Sequence, residues 1–186
     1  MFNNKYYIIF LAIIAGGLSV YSVSVQGWYP IAVVNSNWIM TSSLQKHSAA
    51  AFKYYTRALG GEGLPRNIDQ ELRRATLDKI IENILIHDEL ETRVGDQVDN
   101  LVASKLYDLK MSDIEMDKAA LALYGLNFLE FKELVLIPQA QRELLATRLL
   151  VEDIDFEAWL EEVKSDSSVI IFTPRLRWSG SEVEID

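Results

Sequence analysis

From Tyr6 to Val25 the chain runs twenty residues without a charge, and after it polar and apolar positions alternate in short periodic blocks. At 1.5 Å per helical residue, that run covers about 30 Å, the thickness of a bilayer's hydrocarbon core, and it predicts one transmembrane helix. Beyond it Ile31–Asn35, an apolar and partly β-branched stretch after Pro30, predicts a strand. A helix is expected to open near Ser42, where Ser42 and Gln45 have capping-box spacing, and to carry Leu44, Ala51, Phe52, Tyr55 and Leu59 on one side. Gly60, Gly61, Gly63 and Pro65 then end it.

The longest helix of the domain is expected after Asn67, which with Gln70 resembles a cap and its partner. Ile68, Leu72, Leu77, Ile80, Ile81, Ile84 and Leu85 follow at helical spacing. Asp69 with Arg73 and Glu89 with Arg93 are i,i+4 opposite-charge pairs, each adding about 0.2–0.5 kcal/mol on an exposed face. Gly95 interrupts the pattern. Val98, Leu101, Val102, Leu106 and Leu109 define the next helix, and Ser112 with Glu115 caps a shorter one that Gly125 closes. Asn127 with Glu130 starts another, with Phe128, Phe131, Leu134 and Val135 on a stripe, and Pro138 either kinks it or opens a new helix at its first turn, a break there being favoured.

Gln139 to Val151 is helical again through Ala140, Leu144, Leu145 and Leu149, and Asp155 to Lys164 gives a last helix through Phe156, Trp159, Leu160 and Val163. Ser168 to Phe172 reads as a strand, bounded by polar residues before it and Pro174 after it. A lone strand leaves its backbone N–H and C=O groups without partners, so the two end strands are expected to pair with each other. The fold class is mainly α: a transmembrane helix, then a helical domain with a small two-stranded sheet made by its N- and C-terminal strands.

Charge changes this picture in two ways. Lys5 precedes the apolar run and no basic residue follows it until Lys46, which orients the N-terminus to the cytoplasm and the domain outside; Trp28 and Tyr29 stand where interfacial aromatics are expected. The small residues Ala15, Gly16, Gly17 and Ser19 leave room for a signal-peptide cleavage site, but the apolar run continues through Val20, Tyr21, Val23 and Val25, which favours an uncleaved anchor. On either reading the domain is exported. Residues 1–28 are thus the anchor, meeting the lipid bilayer through residues 6–25, and 29–186 one domain with one core. The net charge of −9 argues against nucleic acid as a partner, since such binders need a basic face.

Chemistry is sparse. There is no cysteine, and His47 and His87 are the two histidines, so neither thiolate chemistry nor a multi-histidine metal site is on offer. No Gly-x-Ser-x-Gly elbow accompanies a histidine, and Gly60-Gly61-Glu62-Gly63 lacks the lysine and preceding strand of a phosphate-binding loop. No catalytic residue and no cofactor is assigned.

Three stretches carry a resemblance: Ile31–Asn35 followed by Ile39 and Thr41, Leu72–Ile81, and Tyr124–Phe131 through Pro138. In this order they resemble the N-terminal domain of the SurA family, exported chaperone modules often joined to parvulin-type prolyl isomerase domains. The resemblance covers most of residues 31–151, with Ser36 where the family usually has glycine. It implies a nucleotide-independent chaperone that holds unfolded or nascent exported polypeptides in a groove between helices, with the C-terminal segment returning to complete the domain. After Val151 too little chain remains for a parvulin fold, so isomerase activity is not expected. Peptide-binding candidates are Phe52, Tyr55, Tyr124, Phe128 and Phe131; ordinary core packing is the competing reading for each. An adaptor that docks one envelope partner is the alternative function.

Overall fold

The computed structural model describes residues 27–58, 67–107 and 113–186. The apolar run 6–25, the glycine-rich stretch 60–65, Leu59, Leu109 and the Ser112 cap lie outside them. No helix among the described residues is long and apolar enough to cross a membrane. The domain is mainly helical with small antiparallel sheets, and its core is assembled along one long helix.

That helix, Ile68–Val94, has 27 residues and so a length of about 40 Å. The expected stripe is realised: Leu72, Leu77, Ile80, Ile81, Leu85, Ile86 and Leu90 are buried. Its opening differs in detail, because the Asn67 side chain makes no cap hydrogen bond; the Asn67 carbonyl accepts from Gln70 N and Glu71 N instead. Of the two expected ion pairs, Glu89–Arg93 forms at 2.5 Å and Arg93 also reaches Glu152. Asp69 and Arg73 do not pair, and it is Arg74 that bonds Glu71 at 3.2 Å.

The sheet corrects the two-stranded expectation. β1 (Pro30–Val34) is the centre of a three-stranded antiparallel sheet, flanked by β2 (Asn37–Met40) and β3 (Val169–Ile171). The end strands do pair, with Ala32 opposite Ile171 and Val34 opposite Val169. β2 is an addition: Asn37–Met40 is a hairpin arm that buries Ile39 alone, too short to show a period. Asn35 at the hairpin turn takes φ +52°, a conformation asparagine tolerates better than most residues. It also fastens the far strand, its N–H donating to Ser168 O at 2.8 Å and its Oδ1 accepting from Ser168 N at 3.2 Å.

Thr173–Trp178, which the sequence offers as an extension of the C-terminal strand or its turn, instead leads into a second hairpin. β4 (Leu176–Trp178) and β5 (Val183–Ile185) pair antiparallel and send Leu176 and Val183 into the same core as Ile31, Ala32, Val34, Ile39, Leu77 and Ile81.

The first helix, α1 (Thr41–Ala58), opens one residue early and without the Ser42–Gln45 box. Its leading N–H groups are taken by backbone: Thr41 N and Oγ1 donate to Tyr29 O at 3.0 and 2.9 Å, and Ser42 N to Gly27 O at 3.0 Å. A Cβ on Gly27, which has φ +65°, would lie 3.0 Å from Ser42 N, so glycine is required there. The long helix is α2. A 3₁₀ turn at Gly95–Gln97 leads to α3 (Val98–Tyr107), and α4 (Asp113–Leu123) follows.

At α5 (Phe128–Phe131) the expected capping box is present, Asn127 and Glu130 bonding each other's backbone N–H. The chain does not break at Pro138, which stands instead in the first turn of a new α-helix, the other outcome open to it. A π turn at Lys132–Leu136 runs into α6 (Ile137–Val151), with Ile137 N–H donating to Lys132 O. Proline lacks an N–H and its ring crowds the carbonyl four residues back; the wider turn just before it relieves both. α7 (Phe156–Asp166) starts where Asp155 accepts from Ala158 N at 2.9 Å.

The core is two clusters strung along α2 instead of one. The first lies against the sheets; the second joins Ile86 and Leu90 to Val98, Val102, Ala140, Leu145 and Leu149. Between them α7 is pinned by Lys164, a buried cation whose Nζ donates to Asp78 at 3.3 Å and Glu82 at 3.2 Å, below the Trp178 ring at 5.8 Å. Glu82 also accepts from Lys79 at 2.9 Å and Arg142 at 3.5 Å. Burial raises its carboxyl pKa, but the hydrogen bonds and charges of Lys79 and Lys164 outweigh this, and the net shift is downward.

Removing Lys164 leaves two carboxylates sheltered without their shared cation, so Lys164→Ala should cost about 3 kcal/mol in urea unfolding. A loss near that of a surface ion pair, about 0.5 kcal/mol, would show that water screens the cluster. The lowered Glu82 pKa adds a sign: its contribution is complete above about pH 4.5 and disappears as pH falls through the lower folded value.

Candidate peptide-binding surface

The aromatic candidates lie around α1, and the structure brings three of the five together. Tyr55 meets Tyr54 edge-on at 6.0 Å, Tyr54 stacks on Tyr124 at 5.0 Å and 10°, and Tyr124 meets Phe131 at 5.2 Å. Each such contact contributes about 0.5–1.5 kcal/mol beyond burial. Tyr54, the link in this row, lies off the stripe that starts at Leu44 and follows Ala50 by one turn. Ala50 is buried, and that i,i+4 relation was the available signal.

This face of α1 is held by polar contacts. Lys46 bonds Glu130 at 3.1 Å and Lys53 Nζ donates to Leu121 O at 3.2 Å. Gly125, at φ +73°, lies directly under Lys53: a Cβ there would come within 2.6 Å of its side chain. The Tyr124 hydroxyl pKa is raised, first by burial and then by Tyr54. Tyr54 and Tyr55 remain exposed at the end of the row.

Phe128 stands apart. It is half-buried and makes no ring contact among the described residues; its backbone N–H donates to Asp117 at 2.8 Å. Phe52 is exposed on another flank of α1, where it lines a cleft of about 430 Å³ with Ser48, Ala49, Asp69, Leu72 and Arg73. A second cleft of the same size shares Asp69 and Arg73 and is walled by Thr173, Pro174, Arg175 and Leu176. Together they make a groove over the first turns of α2, with Leu72 and Leu176 buried in its walls and charges of both signs at its rim. Such a lining can seat an apolar side chain beside an extended backbone.

The structure places the two histidines in one cleft of about 230 Å³, with Asn37, Asn83, Asp88 and Glu133. Gln141 Nε2 donates to His87 Nδ1 at 3.0 Å, which leaves the other ring nitrogen to donate to Glu91 at 3.3 Å. Asp88 accepts from Asn37 at 3.1 Å, and burial raises its pKa. Among the described residues no group of three or more His, Asp or Glu is placed to hold a metal ion.

Burial, then the neighbouring Lys46, lower the His47 pKa. The folded state therefore favours the neutral ring, and its contribution is complete above about pH 6.5 and lost as pH falls from there toward the lower folded value. Thermal unfolding at pH 7.5 and 5.5 should show a drop that His47→Gln reduces. An unchanged drop in the variant would assign the pH dependence to other groups.

The surface thus combines an exposed aromatic row, an apolar-floored groove and a polar histidine cleft. Compared with protein-family models, with curated proteins and with solved structures, the chain has no significant match.

Proposed function

We propose that this chain is a membrane-tethered holdase that binds unfolded or nascent exported polypeptides outside the cytoplasm, without prolyl isomerase activity. The observation that carries the reading is the pair of exposed apolar surfaces leaving one turn of α1: Phe52 into the groove over α2, and Tyr54 with Tyr55 into the row ending at Phe131. Flat, amphipathic rings and a groove with mixed charges suit many sequences instead of one.

Two further features support it. β1 pairs with the returning β3, the closure that the SurA-like resemblance implies. The anchor reading of residues 6–25 supplies the tether.

A fragment that keeps Gly27, whose carbonyl caps α1, should suppress aggregation of an unfolded client at near-stoichiometric concentration and leave Xaa–Pro isomerisation at its uncatalysed rate. Phe52→Ser combined with Tyr55→Ser removes two exposed rings. The concentration for half-suppression should rise roughly tenfold or more, as for loss of about 1–2 kcal/mol of binding. No suppression by the parent fragment, with one envelope partner recovered by crosslinking, would replace this reading with the adaptor.

A further inference from the structure

The three-stranded sheet has an outer face that breaks the ordinary rule for antiparallel sheets, which set apolar side chains inward and polar ones toward water. Val34, Ala32 and Ile39 point into the core, and Val169 and Ile171 pack on it. The alternate positions are Val33, Trp38, Met40 and Ile170, with Phe172 just beyond β3. Trp38 is 62% exposed, Ile170 53% and Phe172 50%, and the Trp38 and Phe172 rings stack at 6.1 Å.

Charge is missing from this face as well. The chain has 18 basic and 27 acidic residues, yet none falls between Tyr6 and Gln45 or between Ser167 and Pro174, so all three strands are uncharged. A water-facing sheet in so acidic a chain would carry charges on its outer side. An exposed apolar patch without them marks a surface that something covers.

The position of the apolar run selects the occupant. Val25, its last residue, is three residues before Trp28, and three residues reach at most about 11 Å. The chain is then fastened at once, Gly27 O and Tyr29 O holding the start of α1 directly after β2. If residues 6–25 span a bilayer, no linker exists to hold the sheet away from it. Trp28 is 63% exposed and Tyr29 is also exposed. Tryptophan and tyrosine, with apolar rings and a polar edge, partition to the headgroup boundary.

We infer that the outer face of this sheet, with Trp28, Tyr29, Trp38, Met40, Ile170 and Phe172, is a bilayer-docking surface that seats the domain against the phospholipid headgroup and acyl boundary. The inference rests on the membrane-anchor reading of residues 6–25. Docking this way fixes which side of the domain faces the lipid, a restraint a single spanning helix does not supply.

The absence of cysteine makes a spin label at any introduced cysteine unique. The full chain is reconstituted in phosphatidylcholine vesicles with a label at Ile170→Cys, Trp38→Cys, Ile14→Cys or the exposed Glu161→Cys. Collisions with oxygen, which enriches in lipid, are compared with collisions with a nickel chelate, which stays in water. Labels at 170 and 38 should favour oxygen several-fold over the label at 161. Labels at 170 and 38 as wet as 161, with position 14 in lipid, would overturn the docking surface and leave the anchor standing. A wet position 14 would remove the anchor and the docking with it. Dipolar broadening at 170 that disappears on dilution with unlabelled chain would overturn lipid docking and assign the face to a second copy.

Discussion

Burial of one side of α2 is the interaction on which the rest of the domain depends. Six of its seven buried aliphatic side chains join the two core clusters, four in the first and two in the second, and each contributes about 1.5–3 kcal/mol relative to exposure. Surface ion pairs along the same helix contribute a fraction of that. The sheets, α3, α6 and α7 are arranged by what they can cover on α2. The Lys164, Glu82 and Arg142 network is the polar seam between the two clusters, where α2, α6 and α7 meet. α1 packs on α2 as well, but through few buried side chains, and so keeps Phe52, Tyr54 and Tyr55 available at its surface.

Much of this was legible in the sequence because α2, α6 and α7 repeat their apolar positions over several turns, and period is the strongest signal a chain carries. The Asn127–Glu130 box and the glycine at 125 were legible for the same local reason. β2, β4 and β5 were not, since strands of three or four residues each bury one or two side chains and leave no period to count. The π turn was hidden because proline marks a disturbance without saying how the backbone absorbs it. At the candidate site, Tyr55, Tyr124 and Phe131, named from residue type, lie in one row of rings, whereas Tyr54 joins that row through the orientation of α1 and Phe128 lies outside it. The meeting of His47 and His87 depends on how α1 crosses α2, which no local pattern encodes.

Two apolar surfaces with different chemistry result. The α1 groove and aromatic row mix rings with charged rims, a composition that tolerates varied ligands. The outer face of the sheet is uncharged throughout and stiffened by three hydrogen-bonded strands, a composition suited to one constant environment. Separating an adaptable surface from a fixed one within a small domain is compatible with a tethered binder whose clients vary while its support does not.

The central position of β1 has a consequence for the order in which the domain can be built. Asn35 and Ser168, which bond each other at the end of the β1–β3 ladder, are 133 residues apart in the chain. A polypeptide threaded through a membrane from its N-terminal side would present β1 and β2 first and hold them open, one edge unpaired, until β3 had followed. Closure is then a checkpoint on complete delivery: a chain halted after α6 has most of its helices but an unsealed sheet, and its open edge is a strand template that proteases and other edges can find.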